Sequence, residues 1–106
     1  MLTPADIQAM ADLIAVRFQP EKIILFGSYA TGTATADSDV DLLVVKDSVL
    51  PRHQRSAPIY KALFGTGNAV DIMVYTPGEI EEWRDVPQAF VSTALNQGRV
   101  LYENQA

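Results

Sequence analysis

The sequence predicts an α/β (α+β) fold, a small mixed sheet of three to four strands with helices packed mainly on one face. Three observations carry this. Apolar residues recur at helical spacing in the first eighteen positions, short apolar runs of strand length follow, and the two patterns alternate through the rest of the chain. With 106 residues there is material for one core, so residues 1–106 are read as a single domain.

Thr3-Pro4-Ala5-Asp6 opens a helix, with Thr3 as N-cap and Pro4 in the first turn. Ile7, Met10, Ala11, Ile14 and Phe18 form its buried stripe, and Pro20 ends it. Ile23-Ile24-Leu25-Phe26 is a short continuous apolar run, the pattern of a strand covered on both faces. Gly27-Ser28 closes that strand and opens a glycine-punctuated segment that runs to Ala36. Val40 to Val45 is a second strand. Ser56 to Phe64 is a helix in which Pro58 is tolerated only within the first turn. Gly65 to Asn68 is a turn, and Ala69 to Tyr75 a third strand. Thr76-Pro77-Gly78-Glu79 has the form of a capping box, so a helix follows. Pro87 to Gln97 is another helix, stopped by Gly98, and Arg99 to Glu103 a last short strand.

Composition narrows the function classes. No apolar run approaches the roughly 20 residues of a membrane span, and the first residues show no secretory signal. Cysteine is absent, which excludes disulfides and thiolate metal sites and agrees with a cytoplasmic setting. The net charge of −5 argues against duplex nucleic acid as the main partner, because phosphate neutralisation drives such binding. A local basic group, Arg52, His53, Arg55 and Lys61, reads as a solvated helix face.

The chemistry sits elsewhere. Side chains alternate along a strand, so Asp39 and Asp41 share one face while Val40, Leu42 and Val44 point into the core. Two carboxylates about 4 Å apart repel by roughly 4 kcal/mol at an effective dielectric near 20, a cost that a bound cation removes. An all-oxygen site suits Mg²⁺ before Mn²⁺. Asp71 is the third carboxylate: with Val70, Ile72 and Val74 in the core, it joins the open face if its strand neighbours that of Asp41. Three carboxylates on adjacent strands can hold two metal ions, which stabilise the attacking and leaving oxygens at phosphorus. Gly27-Ser28, at the end of a buried strand, exposes backbone N–H groups and a hydroxyl to an anion such as a triphosphate. Asp37 reads as a turn residue, His53 as a surface histidine, Tyr29 as either flanking the nucleotide or half-buried, Trp83 and Phe90 as core or interface residues, and Glu81 and Glu82 as a solvated helix face.

At this point a resemblance becomes specific. Gly27-Ser28, ten further residues, and Asp39-Val40-Asp41 resemble the signature of the polymerase-beta-type nucleotidyltransferase superfamily, residue for residue in spacing. The resemblance covers essentially the whole chain, because minimal members are about this size and end in a helix and a strand like Leu101-Tyr102-Glu103. It implies that Asp39 and Asp41 bind Mg²⁺, that Asp71 is a ligand and general base, and that Gly27 and Ser28 hold the triphosphate of ATP. Close relatives often carry arginine where this chain has Thr31, a departure that implies weaker grip on a phosphate. The chain has material for a donor site only, so the acceptor is expected on another chain or a homodimer partner. Minimal nucleotidyltransferases of this kind are typically paired with a small helical HEPN-domain toxin, which they adenylylate on tyrosine as antitoxins. Two other readings stand beside transfer: an antitoxin that neutralises its partner by masking it, and a nucleotide-binding sensor.

Overall fold

The structure is a computed structural model that describes residues 2–64, 69–86 and 89–104. Helix α1 (Pro4–Phe18) precedes strand β1 (Lys22–Phe26), the single turn α2 (Ser28–Thr31) and strand β2 (Val40–Val45). A 3₁₀ turn at Arg52–Gln54, helix α3 (Ala57–Leu63), strand β3 (Val70–Tyr75), helices α4 (Pro77–Trp83) and α5 (Phe90–Gln97) and strand β4 (Arg99–Glu103) complete the order. The expected turn at Gly65–Asn68 and the first two residues of the expected helix at Pro87 lie outside the described residues.

Local chemistry starts each element. At α1, Thr3 Oγ1 accepts from the Asp6 N–H at 3.1 Å, while Asp6 Oδ2 accepts from the Thr3 N–H at 2.9 Å. This reciprocal cap satisfies two donors that a helix start leaves open. Gln19 then turns the chain out in the left-handed region and Pro20 prevents continuation. At the other end of the molecule, Gly98 follows α5 where a Cβ would run into the Ala94 carbonyl and the Ile24 side chain. Only a bare backbone lets α5 pass so close to β1 before β4 begins.

The four strands lie in the order β3-β2-β1-β4. β1 pairs antiparallel with β2 and with β4, whereas β2 and β3 are parallel, joined by the crossover that carries α3. Strand alternation then divides the apolar side chains. Ile23 and Leu25 of β1, Val40, Leu42 and Val44 of β2, and Ile72 and Val74 of β3 form the larger core with the α1 stripe and with Ile59 and Leu63 of α3. Ile24, Leu43 and Val45 point to the opposite face and form a smaller core with Ile80 of α4 and Val91 and Ala94 of α5. β2 is therefore buried on both sides along its length, interrupted only at half-buried Asp41.

The basic group expected on a solvated helix face is arranged differently. Arg55 is nearly buried, at 9 % side-chain exposure, and forms a double contact with Glu79 at 2.6 and 3.3 Å. The same guanidinium donates to the carbonyls of Leu50 and Val74. Arg52 lies over the Tyr75 ring at 4.5 Å and reaches Glu79 at 3.4 Å. Glu79 also closes the α4 capping box by accepting from the Thr76 N–H at 2.8 Å. His53 and Lys61 do stay exposed. Sequence spacing could not separate these four, because the carboxylate that selects two of them lies some two dozen residues on.

This clamp carries a pH signature. Arg55 beside Glu79 is the main cause that draws its carboxyl from an ordinary 4.5 to about 2. A carboxylate with a depressed folded pKa contributes stability above its unfolded value and loses it as pH falls through the folded one. The expected contribution, discounted for partial exposure, is about 2 kcal/mol at neutral pH. Glu79→Gln is thus expected to lower the unfolding free energy by about that amount at pH 7, with the difference from the parent shrinking between pH 4.5 and about 2. Urea unfolding at a series of pH values checks this, and a difference independent of pH would refute it.

Candidate active site

One end of the sheet gathers the residues singled out above. Because β1 runs antiparallel to β2, its last residue meets the first turn of β2, and Phe26 pairs with Asp41. Because β3 runs parallel to β2 in register, Val40 pairs with Val70 and Asp41 with Asp71. The adjacency on which the placement of Asp71 depended is therefore present, and both carboxylates lie on the same face. Asp39 precedes β2 at the same edge and is exposed. The loop that delivers it is held by its own hydroxyls: Ser38 Oγ accepts from the Thr35 N–H at 2.9 Å, and Thr35 Oγ1 from the Asp37 N–H at 3.3 Å. Asp37 is a turn residue in this arrangement.

Gly27 follows Phe26 and therefore stands beside Asp41. Its φ of 75° lies where side chains are disfavoured, and a Cβ there would collide with Asp41 Oδ2. The missing side chain thus supplies both the turn and the space that the Asp41 carboxylate occupies. Ser28 starts α2, where the Ala30 and Thr31 N–H groups both donate to the Gly27 carbonyl, at 3.0 and 3.1 Å. The preceding amides have no acceptor within such a turn and are left for solvent or a bound anion. Gly32, at φ 81°, ends the turn. Thr31 is exposed and its hydroxyl sits 3.4 Å from the carbonyl oxygens of Gly27 and Ser28 and 3.0 Å from Thr33 Oγ1, folded back on the turn.

The electrostatics follow from this crowding. Burial raises the Asp41 carboxyl above its ordinary value, and the neighbouring charges of Asp71 and Asp39 raise it further. Among the described residues no group of three acidic or histidine side chains is drawn together as a ready metal cage. That arrangement still fits Mg²⁺, which is usually held by one or two carboxylates and takes its other oxygens from water and substrate phosphates. Two carboxylates set side by side at Asp41 and Asp71 are the feature that fits a cation here.

The remaining sequence candidates go elsewhere. Tyr29 is half-buried against the larger core, and its hydroxyl accepts from the Leu2 N–H at 3.2 Å. His53 is exposed on the 3₁₀ turn. Phe90 is half-buried, with its ring 4.8 Å from Phe26, edge to face, and 5.9 Å from Tyr75. Sequence reasoning missed that the aromatic residues Phe26, Tyr75 and Phe90 meet on the carboxylate face. The parity of Phe26 and Tyr75 along their strands was the available signal, but the position of α5 was not.

Known proteins share this architecture. The nucleotidyltransferase domain family matches residues 10–101. A Methanocaldococcus jannaschii protein, named as a candidate protein adenylyltransferase, is 37 % identical over 84 residues, 77 % of this chain and 78 % of its own. Among solved structures, a toxin–antitoxin complex with AMP-PNP aligns at TM-score 0.65 and 23 % identity, over 92 % of this chain and 74 % of that one. A mutant of the toxin–antitoxin pair MntA–HpeT aligns at 0.64 and 21 %, over 92 % and 73 %. At these identities the two structures establish the fold.

The raised carboxyl has a testable consequence. A group whose ionised form is disfavoured by folding costs stability above its unfolded pKa, a cost relieved as pH falls. In a chelating buffer at pH 7, Asp41→Asn is expected to raise the melting temperature by roughly 2–6 °C. Mg²⁺ is expected to stabilise the parent and not the variant. Scanning calorimetry with and without the metal distinguishes this from a purely structural role, for which the variant would melt at or below the parent temperature.

Proposed function

The chain belongs to the nucleotidyltransferase domain family, and from that premise we propose that it transfers AMP from ATP, with Mg²⁺, to a hydroxyl on a partner protein. In this reading Gly27 and Ser28 hold the triphosphate, and Asp39, Asp41 and Asp71 are the metal-binding and catalytic residues. The observation that carries it is the pairing of Asp41 with Asp71 across β2 and β3, beside a glycine whose missing side chain leaves Asp41 its place, with Asp39 just ahead of β2. Bound Mg²⁺, in one or two ions, would neutralise the triphosphate and the charge that develops during transfer. The chain's own part is positioning and proton transfer. The acceptor oxygen forms its bond to the α-phosphorus, the bond to the β-phosphate oxygen breaks, and pyrophosphate leaves. Asp71, on the exposed side of the pair, takes the acceptor's proton.

The name of the archaeal relative supports a protein acceptor and AMP as the transferred group. The solved toxin–antitoxin complex with AMP-PNP supports a triphosphate donor and a partner chain. With the resemblance of the signature, these lead to an antitoxin that adenylylates a HEPN-domain toxin in the cytoplasm. Among the described residues no helix is long and apolar enough to cross a membrane. A second reading, an antitoxin that works by masking its partner with little turnover, draws on Thr31, whose hydroxyl folds onto its own turn where relatives place a guanidinium.

Co-expression with the protein encoded beside it, followed by intact mass spectrometry, tests the first reading. One or more AMP units are expected on the partner, and labelled ATP with Mg²⁺ is expected to reproduce the adduct in vitro. Asp39→Asn with Asp41→Asn is expected to lower transfer by roughly 100-fold or more, the scale lost when charge stabilisation at a reacting centre is removed. Undiminished transfer by the double variant refutes the site. Protection of cells by that variant without transfer favours masking.

A further inference from the structure

Beyond the carboxylates, the same face of the sheet carries a feature that phosphate chemistry leaves unused. Register places Phe26, Asp41 and Asp71 in one row across β1, β2 and β3. Leu43 and Met73 fall in the next row of β2 and β3, and Val45 and Tyr75 in the one after. Along β3 the path from Asp71 to Tyr75 is two pleats, about 13 Å. Met73, midway, is 38 % exposed although its position is a strand interior. Phe90 bridges the two ends, resting against Phe26 beside Asp41 and against Tyr75.

At the far end of this path lies a cavity of about 170 Å³, lined by Arg52, Tyr75, Trp83, Ala89, Phe90 and Val91. A whole drug-sized ligand typically occupies about 300–1,000 Å³, so this space suits a single planar ring system. Tyr75, Trp83 and Phe90 give it three aromatic walls, with Trp83 39 % exposed. Among the described residues the one charge at its rim is already engaged, since Arg52 lies over Tyr75 and contacts Glu79. The slot therefore offers stacking surfaces rather than a free ion.

We infer that this slot receives the nucleobase of the triphosphate, held mainly by stacking against Phe90 and Trp83, with Met73 as the floor between base and phosphates. The inference rests on the proposed reading of the carboxylate end as a nucleotide site. It adds the determinant that the signature lacks: Gly27, Ser28 and the three aspartates can address phosphates and metal, but none of them presents an apolar face to a base. Stacking of a base on an aromatic side chain is worth enough to change affinity by roughly 5- to 100-fold.

Trp83 is the only tryptophan in the chain, so its fluorescence reports on the slot directly. Titration of the full-length protein with ATP, adenosine and inorganic tripolyphosphate is expected to shift Trp83 emission saturably with the first two and not with the third. Equilibrium dialysis with labelled ATP runs in parallel, on the parent, on Trp83→Ala at the surface and on Phe90→Leu, which keeps apolar bulk without a ring. Both variants are expected to bind ATP roughly 5- to 100-fold more weakly, with tripolyphosphate binding unchanged. If ATP binds in dialysis while Trp83 emission does not move, or if tripolyphosphate moves it as much as ATP, the base lies elsewhere and the inference falls alone. If dialysis shows no ATP binding to the parent, the transfer reading falls with it.

Discussion

The parallel, in-register pairing of β2 with β3 is the constraint on which the rest depends. It sets Asp41 beside Asp71 at the start of both strands, while antiparallel β1 brings Phe26 and then Gly27 to the other side of Asp41. A one-residue slip in this pairing would turn Asp71 into the larger core and Ile72 out to solvent, because strand side chains alternate with a period of two. The register is therefore held by burial. The alternation of β3, with Ile72 and Val74 in the larger core and Asp71 and Met73 exposed, leaves no slipped alignment that keeps its apolar residues dry.

That apolar support is what makes a repulsive site tolerable. Asp41 is half-buried among like charges, a condition that opposes folding, yet it is the only break in a strand otherwise packed on both faces. Gly27 contributes by absence, leaving the carboxylate the volume that any side chain would take. A site with this character is expected where function outranks stability, since local rules are broken at one point and the surrounding structure compensates.

Away from the site, the Arg55–Glu79 pair ties the segment after β2 to the start of α4, and Arg52 adds a contact to Tyr75. The consequence reaches the carboxylate face. α4 and α5 close the smaller core, and their placement decides where Phe90 and Trp83 stand relative to β3. The clamp, the smaller core and the aromatic slot are thus one mechanical unit, opposite the larger core built on α1 and α3.

Much of this was legible in the chain alone because its causes are local. Capping at Thr3 and Thr76, strand periodicity at 40–45 and 70–75, and the separation of Gly27-Ser28 from Asp39 and Asp41 all act over a few residues or along one strand. The last of these is what resembles the nucleotidyltransferase signature, whose residues lie in consecutive elements. Other features are decided by contacts between residues far apart in sequence. These are the choice of Arg55 over Lys61 as the buried cation, the Tyr60 hydroxyl that accepts the Ile72 N–H on outer strand β3, and the meeting of Phe26, Tyr75 and Phe90. Periodicity tells which face of an element is apolar, but not which partner covers it. The sequence by itself determined that Asp41 and Asp71 lie on the side of their strands opposite Val40, Leu42, Ile72 and Val74. Only tertiary structure decided that Asp71 stands directly beside Asp41 and that aromatic rings continue the same surface, because strand neighbours and helix placement are chosen by the packing of the whole core.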